Sequence, residues 1–207
     1  MTFRLLPRRH WQIVVVTAAV TCFPVSPGAA QPAAPEVVKT LCAGCHGADG
    51  NSVAPTFPKL AGQSAAYLEK QLLDYLAGRR RGEIMASILP QLNKSDVPGI
   101  AAFYAAQPIQ PAPTENAKAA AAGKKIYDDG NVDSGVPACG GCHGDKGEGN
   151  DRYPRVGGQF PAYTLIQMQE FKSGKRNNDK GKVMRAVAER MTDAEMQAVS
   201  EYLAALK

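Results

Sequence analysis

The sequence predicts an all-α protein built from two tandem helical domains. The chain contains an internal repeat, and its apolar residues recur at helical spacing, with no sustained alternation typical of strands. The proline-rich residues 108–113 separate the two copies. Because proline stiffens a connection and interrupts helices, we assign residues 31–107 to the first domain, 108–116 to a linker and 117–207 to the second domain.

The repeat is visible in two long matched segments. Residues 58–63 (PKLAGQ) match residues 154–159 (PRVGGQ), and residues 92–104 align without a gap on residues 191–203. Four further pairs match between these segments: Tyr67 with Tyr163, Gln71 with Gln167, Gly78 with Gly174 and Arg80 with Arg176. Such repetition predicts two copies of one fold.

Capping residues predict where several helices begin and end. Ser64 can cap a helix that ends near Gly78, and Thr192 with Glu195 forms a capping box for the final helix. Each predicted domain has fewer than 100 residues, which is small for a self-sufficient apolar core. A buried prosthetic group is therefore expected to supply part of each core.

Each copy contains one CxxCH motif, at residues 42–46 and 139–143. This motif is the attachment signal for c-type haem: the two thiols form thioethers with the porphyrin, and the adjacent histidine binds the iron. The sequence therefore predicts two covalently bound haem c groups. Their predicted attachment residues are Cys42, Cys45, Cys139 and Cys142, and the predicted iron ligands of the motifs are His46 and His143.

Two other classes of site use paired cysteines. The halves of a zinc ribbon usually lie within about 15–20 residues of each other, whereas the two motifs of this chain are nearly 100 residues apart. A thioredoxin-like redox pair follows a strand and requires no histidine. Both alternatives fit this pattern less well than two haems do.

The first residues have the pattern of a secretion signal. Arg4, Arg8 and Arg9 precede an apolar stretch at residues 11–20, and small residues at 28–30 favour cleavage near Ala30. We predict that residues 1–30 are a signal peptide and that the protein is exported. A retained membrane anchor is the alternative, but about ten apolar residues fall short of the roughly 20 that a span needs.

Composition argues against a nucleic-acid partner. Removal of residues 1–30 leaves 21 basic and 19 acidic residues, a formal charge of +2. The propionates of two haems would make the loaded protein slightly acidic. Cys22 leaves with the signal peptide, so all four remaining cysteines are used by the two motifs.

The second iron ligands follow by elimination. After residue 30 only two histidines remain, one in each motif, so histidine on both faces of either iron is excluded within this chain. Methionine is the usual alternative. Met85 is the only methionine of residues 31–107, and the repeat aligns it with Met184. We therefore predict Met85 and Met184 as ligands, in preference to an open or lysine-bound iron, and interpret Met168, Met191 and Met196 as core residues.

Basic clusters precede both methionines, at residues 79–81 and 175–182. One interpretation is a solvated loop. The other is that one arginine of each domain pairs with haem propionates, because a planar guanidinium matches a carboxylate. The aligned residues Arg80 and Arg176 are the candidates for this role.

The chain after residue 30 resembles the dihaem cytochromes c4. The resemblance rests on CAGCHGADGNS, FPKLAGQ and YLEKQLLDYLAGRR in the first half, and on GKKIYDDGN, SGVPACGGCHGDKGEGN and the Met184 loop in the second. It implies two class I cytochrome c domains related by a pseudo-twofold axis, with haem propionates facing across the interface. It also implies that the carbonyls of Pro58 and Pro154 accept the second N–H of each histidine ring.

The same resemblance implies a periplasmic carrier that passes single electrons from the bc1 complex or another donor to a terminal oxidase. Peripheral association with a membrane stays open. Irons with six ligands leave no position for a substrate, which favours a carrier over an enzyme. The alternatives are an electron-accepting subunit, as in flavocytochrome c sulfide dehydrogenase, and a dihaem peroxidase, which needs one iron that can open.

Overall fold

The structure is a computed structural model that describes Thr2 and residues 33–206. The predicted signal peptide therefore lies outside the described residues, apart from Thr2. Residues 33–206 belong to one unit, so contacts between the two halves can be followed directly.

The first half contains a π-helical stretch and four α-helices. The stretch Val38–Cys42 runs directly into α1, and short 3₁₀ turns at Leu89–Gln91 and Lys94–Asp96 precede the last helix. The α-helices are α1 (Ala43–His46), α2 (Ala65–Leu76), α3 (Glu83–Ile88) and α4 (Val97–Ala105).

The second half repeats this order after an additional N-terminal helix. A 3₁₀ turn at Lys180–Lys182 leads into its fourth helix. The helices are α5 (Ala117–Asp129), α6 (Gly140–His143), α7 (Pro161–Lys172), α8 (Val183–Arg190) and α9 (Asp193–Ala204). Between residues 33 and 206 there is no strand, only an isolated bridge between Asn131 and Val136. The prediction of an all-α fold with two related domains is confirmed.

The predicted caps are present. The Ser64 hydroxyl accepts a hydrogen bond from Tyr67 N at 3.4 Å, and Gly78 follows the end of α2 with a φ of +68°. At α9, Glu195 N donates to Thr192 Oγ1 at 3.2 Å while Thr192 N donates to Glu195 Oε2 at 2.7 Å, which completes the capping box.

Each half has its own apolar core. In the first, buried residues of α2 and α4 pack together with Val38. In the second, Met168, Met191 and Met196 are buried among residues of α5, α7, α8 and α9, as predicted for core methionines. In the described part of the chain, no helix has the length and apolar content needed to cross a membrane.

The matched loops occupy equivalent positions in the two halves. Gly62 N donates to Tyr104 O in α4 at 3.0 Å, and Gly158 N donates to Leu203 O in α9 at 2.8 Å. Residue 104 aligns with residue 203 in the repeat, so both loops are attached to the same point of their own C-terminal helix. This arrangement fixes the segments that follow Pro58 and Pro154.

Candidate haem sites

The two CxxCH motifs occupy equivalent short helices. Cys42 ends the π-helical stretch before α1, and Cys139 directly precedes α6. All four cysteines are half-buried and free of disulfides. Burial raises the pKa of the Cys42 thiol and raises that of Cys139 to about 11. The thiols of Cys42 and Cys139 are therefore neutral and available for thioether formation.

Both motif histidines have one ring nitrogen engaged by a proline carbonyl. His46 Nδ1 lies 2.9 Å from Pro58 O, and His143 Nδ1 lies 2.9 Å from Pro154 O. A carbonyl can only accept, so Nδ1 carries the proton and Nε2 keeps its lone pair. Burial lowers the pKa of both imidazoles, an effect that the hydrogen bond to the carbonyl only partly opposes. Each ring is thus a neutral, oriented donor for a metal.

The two predicted methionine ligands lie in corresponding short helices. Met85 is the third residue of α3 and Met184 the second residue of α8, and both side chains are half-buried. Met184 packs against the core of the second half. Their partial exposure distinguishes them from Met168, Met191 and Met196, which are buried.

Arg80 and Arg176 lie together at the interface between the halves, 8% and 6% exposed. Arg80 donates to Gln71 Oε1 at 2.9 Å and, across the interface, to Tyr163 OH at 3.1 Å. Arg176 donates to Gln167 Oε1 at 2.7 Å and, across the interface, to Tyr67 OH at 2.8 Å. The matched residues of the repeat therefore form one polar cluster.

This cluster carries two buried positive charges. None of the ion pairs among residues 33–206 includes Arg80 or Arg176. Burial by itself would raise the pKa of the Tyr67 phenol, but the two guanidinium groups lower it. A buried charge is costly without a partner of opposite sign. The cluster therefore favours anions nearby. The buried Asp74 carboxylate is linked to Arg176 through Asn178, and haem propionates would add further negative charge.

The residues present fit two haem groups. Each half offers two half-buried thiols, one oriented imidazole and one half-buried methionine, and the interface offers cations to propionate carboxylates. Arg80 Nε is moreover buried without a hydrogen-bond partner, so a donor stays available for such a carboxylate. Propionate binding by Arg80 and Arg176 stays a prediction, as do the ligand roles of the methionines.

Several residues of the interface have no role that the sequence pattern predicts. Asn178 of the second half donates to Asp74 Oδ2 at 2.7 Å, and Lys70 Nζ donates to Asn178 O at 2.7 Å. Gln63 and Gln159 each bind backbone groups of the opposite half. The repeat does single out the two glutamines, because Gln63 and Gln159 end the matched segments 58–63 and 154–159. No matched pair of the repeat includes Asn178 or Asp74.

The comparisons with known proteins agree with this geometry. The family model described as cytochrome c matches residues 33–105 and 120–207. Cytochrome c4 of Stutzerimonas stutzeri is 40% identical over 178 residues, which cover 80% of this chain and 84% of the relative. A thiosulfate dehydrogenase electron acceptor of Thiomonas intermedia (strain K12) is 34% identical over 206 residues, 98% of this chain and 93% of the relative.

A solved structure shows the same fold. The crystal structure of reduced recombinant cytochrome c4 from Pseudomonas stutzeri matches with a TM-score of 0.77 and 39% identity, over 81% of this chain and 94% of that chain. The two family-model segments each contain one CxxCH motif. The chain belongs to the cytochrome c family, as a cytochrome c4 with two covalently bound haem c groups.

Proposed function

We propose that this protein is a periplasmic carrier of single electrons in which His46 with Met85 and His143 with Met184 bind the two irons. The observation that carries the proposal is the pair of equivalent histidines whose Nδ1 atoms are committed to Pro58 and Pro154, each at 2.9 Å. Both rings are thereby held with Nε2 free, which suits a permanent ligand of a redox iron.

The methionine ligands are supported by position and by elimination. Met85 and Met184 lie in the first turns of corresponding helices, after equivalent basic loops, whereas the other three methionines after residue 30 are buried core residues. Methionine opposite histidine raises the reduction potential of an iron. When bound, each haem supplies an iron that accepts and releases one electron. His46 with Met85 and His143 with Met184 would each add two ligands to the four of a porphyrin, which would leave no position for a substrate.

Two exposed apolar residues suggest where redox partners dock. Ile84 is 55% exposed and Val183 is 42% exposed, and each directly precedes a proposed methionine ligand. Single exposed apolar residues are common on protein surfaces, so the docking role rests on the position of these two residues beside the proposed ligands. We propose that each domain offers one such surface, so that a donor such as the bc1 complex and an acceptor such as a terminal oxidase use different ends. Peripheral membrane association would bring both partners within reach.

A second candidate is the electron-accepting partner of a periplasmic dehydrogenase. It is favoured by the relative named as a thiosulfate dehydrogenase electron acceptor, which matches 98% of this chain. In this case one domain would dock on the dehydrogenase, and the other would pass the electron onward.

Stopped-flow mixing of the haem-loaded protein with purified partners tests the proposal. Rapid reduction by the bc1 complex with quinol, followed by rapid oxidation by a terminal oxidase, supports the respiratory carrier. Reduction only by thiosulfate dehydrogenase with thiosulfate favours the second candidate. Ile84→Glu and Val183→Glu should each slow reaction with one partner. Val53→Glu serves as the matched control, because Val53 is also exposed and apolar but is not a sequence neighbour of either methionine. Fractionation of the producing cells tests the periplasmic location.

A further inference from the structure

Each motif histidine is connected, through one peptide group, to a glutamine of the opposite domain. Pro58 O accepts from His46 Nδ1 at 2.9 Å. The N–H of that same peptide belongs to Lys59, and it donates to Gln159 Oε1 at 3.0 Å. The carbonyl of this peptide thus accepts a hydrogen bond from His46, and its N–H donates a hydrogen bond to Gln159 of the second domain.

The second domain has the same connection in reverse. Pro154 O accepts from His143 Nδ1 at 2.9 Å, and Arg155 N donates to Gln63 Oε1 at 2.9 Å. Residues 59 and 63 of one copy correspond to residues 155 and 159 of the other in the repeat. The two connections are therefore pseudo-symmetric, and each crosses from one domain to the other.

Each glutamine holds its peptide at two points. Gln159 Nε2 donates to Lys59 O at 3.0 Å, and Gln63 Nε2 donates to Arg155 O at 2.9 Å. The side-chain amide therefore pairs with both the N–H and the C=O of one residue of the opposite domain. This two-point pairing fixes the position of the backbone next to each proline carbonyl.

The orientation of both amides is determined by their own domains. Gln159 Oε1 also accepts from Phe160 N at 3.1 Å, and Gln63 Oε1 also accepts from Ser64 N at 3.0 Å. A rotated amide would place its NH₂ group against two N–H donors, so the oxygen must face the peptides. Gln63 and Lys59 are both 8% exposed, and their partners Arg155 and Gln159 are half-buried, so both connections are partly sheltered from water. Such sheltering strengthens the polarisation of one hydrogen bond by another.

We propose that Gln159 tunes the haem bound by His46 and that Gln63 tunes the haem bound by His143, so that each domain adjusts the reduction potential of the other. Donation from the peptide N–H to the glutamine oxygen makes the carbonyl at the other end of the same peptide a better acceptor. A stronger bond from Nδ1–H to that carbonyl makes the imidazole a more basic ligand, which favours ferric iron. The inference rests on the proposed ligation by the two histidines.

The test uses the haem-loaded full-length protein and a crossed pair of variants, Gln159→Met and Gln63→Met. Methionine keeps the approximate length of the side chain but removes both the amide oxygen and the amide donor. The readouts are the two midpoint potentials, assigned to each domain by haem-methyl NMR signals, and the Nδ1–H proton resonances of His46 and His143 in the reduced protein. The latter report the strength of the hydrogen bond to proline directly.

Gln159→Met should raise the potential of the haem at His46 and shift the His46 Nδ1–H resonance upfield, with the His143 signals unchanged. Gln63→Met should raise the potential of the haem at His143 and shift the His143 Nδ1–H resonance upfield, with the His46 signals unchanged. Tyr163→Phe is the matched control, because it removes one hydrogen bond across the interface, from Arg80 at 3.1 Å, without touching either peptide. It should leave both Nδ1–H resonances in place.

The inference is overturned if a variant shifts the haem of its own domain, shifts both haems equally, or shifts neither. An equal shift would mean that the glutamines act only by holding the domains together. If Gln159→Met does not accumulate, Gln159→Asn shortens the same amide by one methylene and should give the same crossed result. A wrong ligand assignment would be visible separately, because the unsubstituted protein would then lack the low-spin spectrum. In that case the proposed carrier function and the tuning by the glutamines would both be wrong.

Discussion

Arg80 and Arg176 both donate to the Gln167 amide oxygen, at 2.9 Å and 2.7 Å, although they belong to different domains. Both also donate to the Gln71 amide oxygen, at 2.9 Å and 3.3 Å. Two like charges that share two acceptors lie close together, and anions nearby would stabilise such an arrangement. Haem propionates supply that charge in our account.

Removal of one of these charges should lower the potentials of the haems. Arg80→Met takes away a positive charge that disfavours the ferric state, so we expect a decrease of about 1 kcal/mol, on the order of 40 mV for one electron. Redox titration measures it. Arg79→Met is the control, because the Arg79 side chain is 61% exposed and pairs with Asp74. Equal shifts in the two variants would contradict a role for Arg80 near the propionates.

Replacement of Met184 should affect ligation, whereas replacement of Met191 should affect stability. Met184→Ala removes the proposed ligand, so the second haem should become high-spin and its potential should fall while the first is nearly unchanged. Met191 is 2% exposed in the core, so Met191→Ala should cost about 2–5 kcal/mol of unfolding free energy and keep both irons low-spin. Absorption spectra and denaturant unfolding measure the two effects. Exchanged phenotypes would show that the repeat alignment is wrong.

Acid should weaken the interface through Asp74. Burial by itself would raise the pKa of the Asp74 carboxyl, but hydrogen bonds from Lys70, Asn178 and Arg79 bring it below its usual 3.8. A carboxyl with a lower pKa in the folded state stabilises above its unfolded pKa, and this contribution is lost as the pH falls through the folded pKa. We therefore expect the unfolding free energy to decrease below about pH 4.

Denaturant unfolding at a series of pH values checks this expectation. Asp74→Asn should lower stability at neutral pH and flatten the decrease in acid, because the titrating group is gone. Asp145→Asn, in an exposed loop, should keep the acid decrease of the unsubstituted protein. Parallel curves for Asp74→Asn and the unsubstituted protein would show that another group causes the loss.

The crossing of α5 and α9 depends on Gly123. A Cβ atom at this position would lie 1.9 Å from Ala198 O, a backbone atom that cannot move aside. Gly123→Ala should therefore destabilise the second domain by roughly 2 kcal/mol or more. Gly99→Ala is the matched control in α4, where the nearest atom would be 3.8 Å away. It should stabilise by about 0.5–1 kcal/mol. Thermal unfolding distinguishes them, and similar melting temperatures would contradict the close approach.

Much of the fold could be predicted from local sequence. The caps at Ser64 and Thr192 depend on residues three positions away or nearer, and the core methionines align with apolar residues of the first copy. The hydrogen-bonded pairs of His46 with Pro58 and of His143 with Pro154 can also be predicted, because each lies within one domain and the resemblance to cytochromes c implies it.

The interface could not be predicted in the same way. The repeat marked Tyr67, Gln71 and Arg80 and their counterparts as matched, but it could not show that the two sets meet. Their contacts depend on how the domains are placed, which local propensity does not determine. The Asn178 contact with Asp74 has no repeat-related equivalent among the contacts described, so no sequence signal pointed to it.

Spectroelectrochemical titration of the haem-loaded protein tests the central claim most directly. The near-red band that reports methionine bonded to ferric iron should be present for both haems, and both should titrate as low-spin, high-potential centres. Such a result would establish one histidine and one methionine on each iron, as expected for an electron carrier. A high-spin or low-potential centre without that band would contradict the account, because one iron would then have an open position or a different ligand.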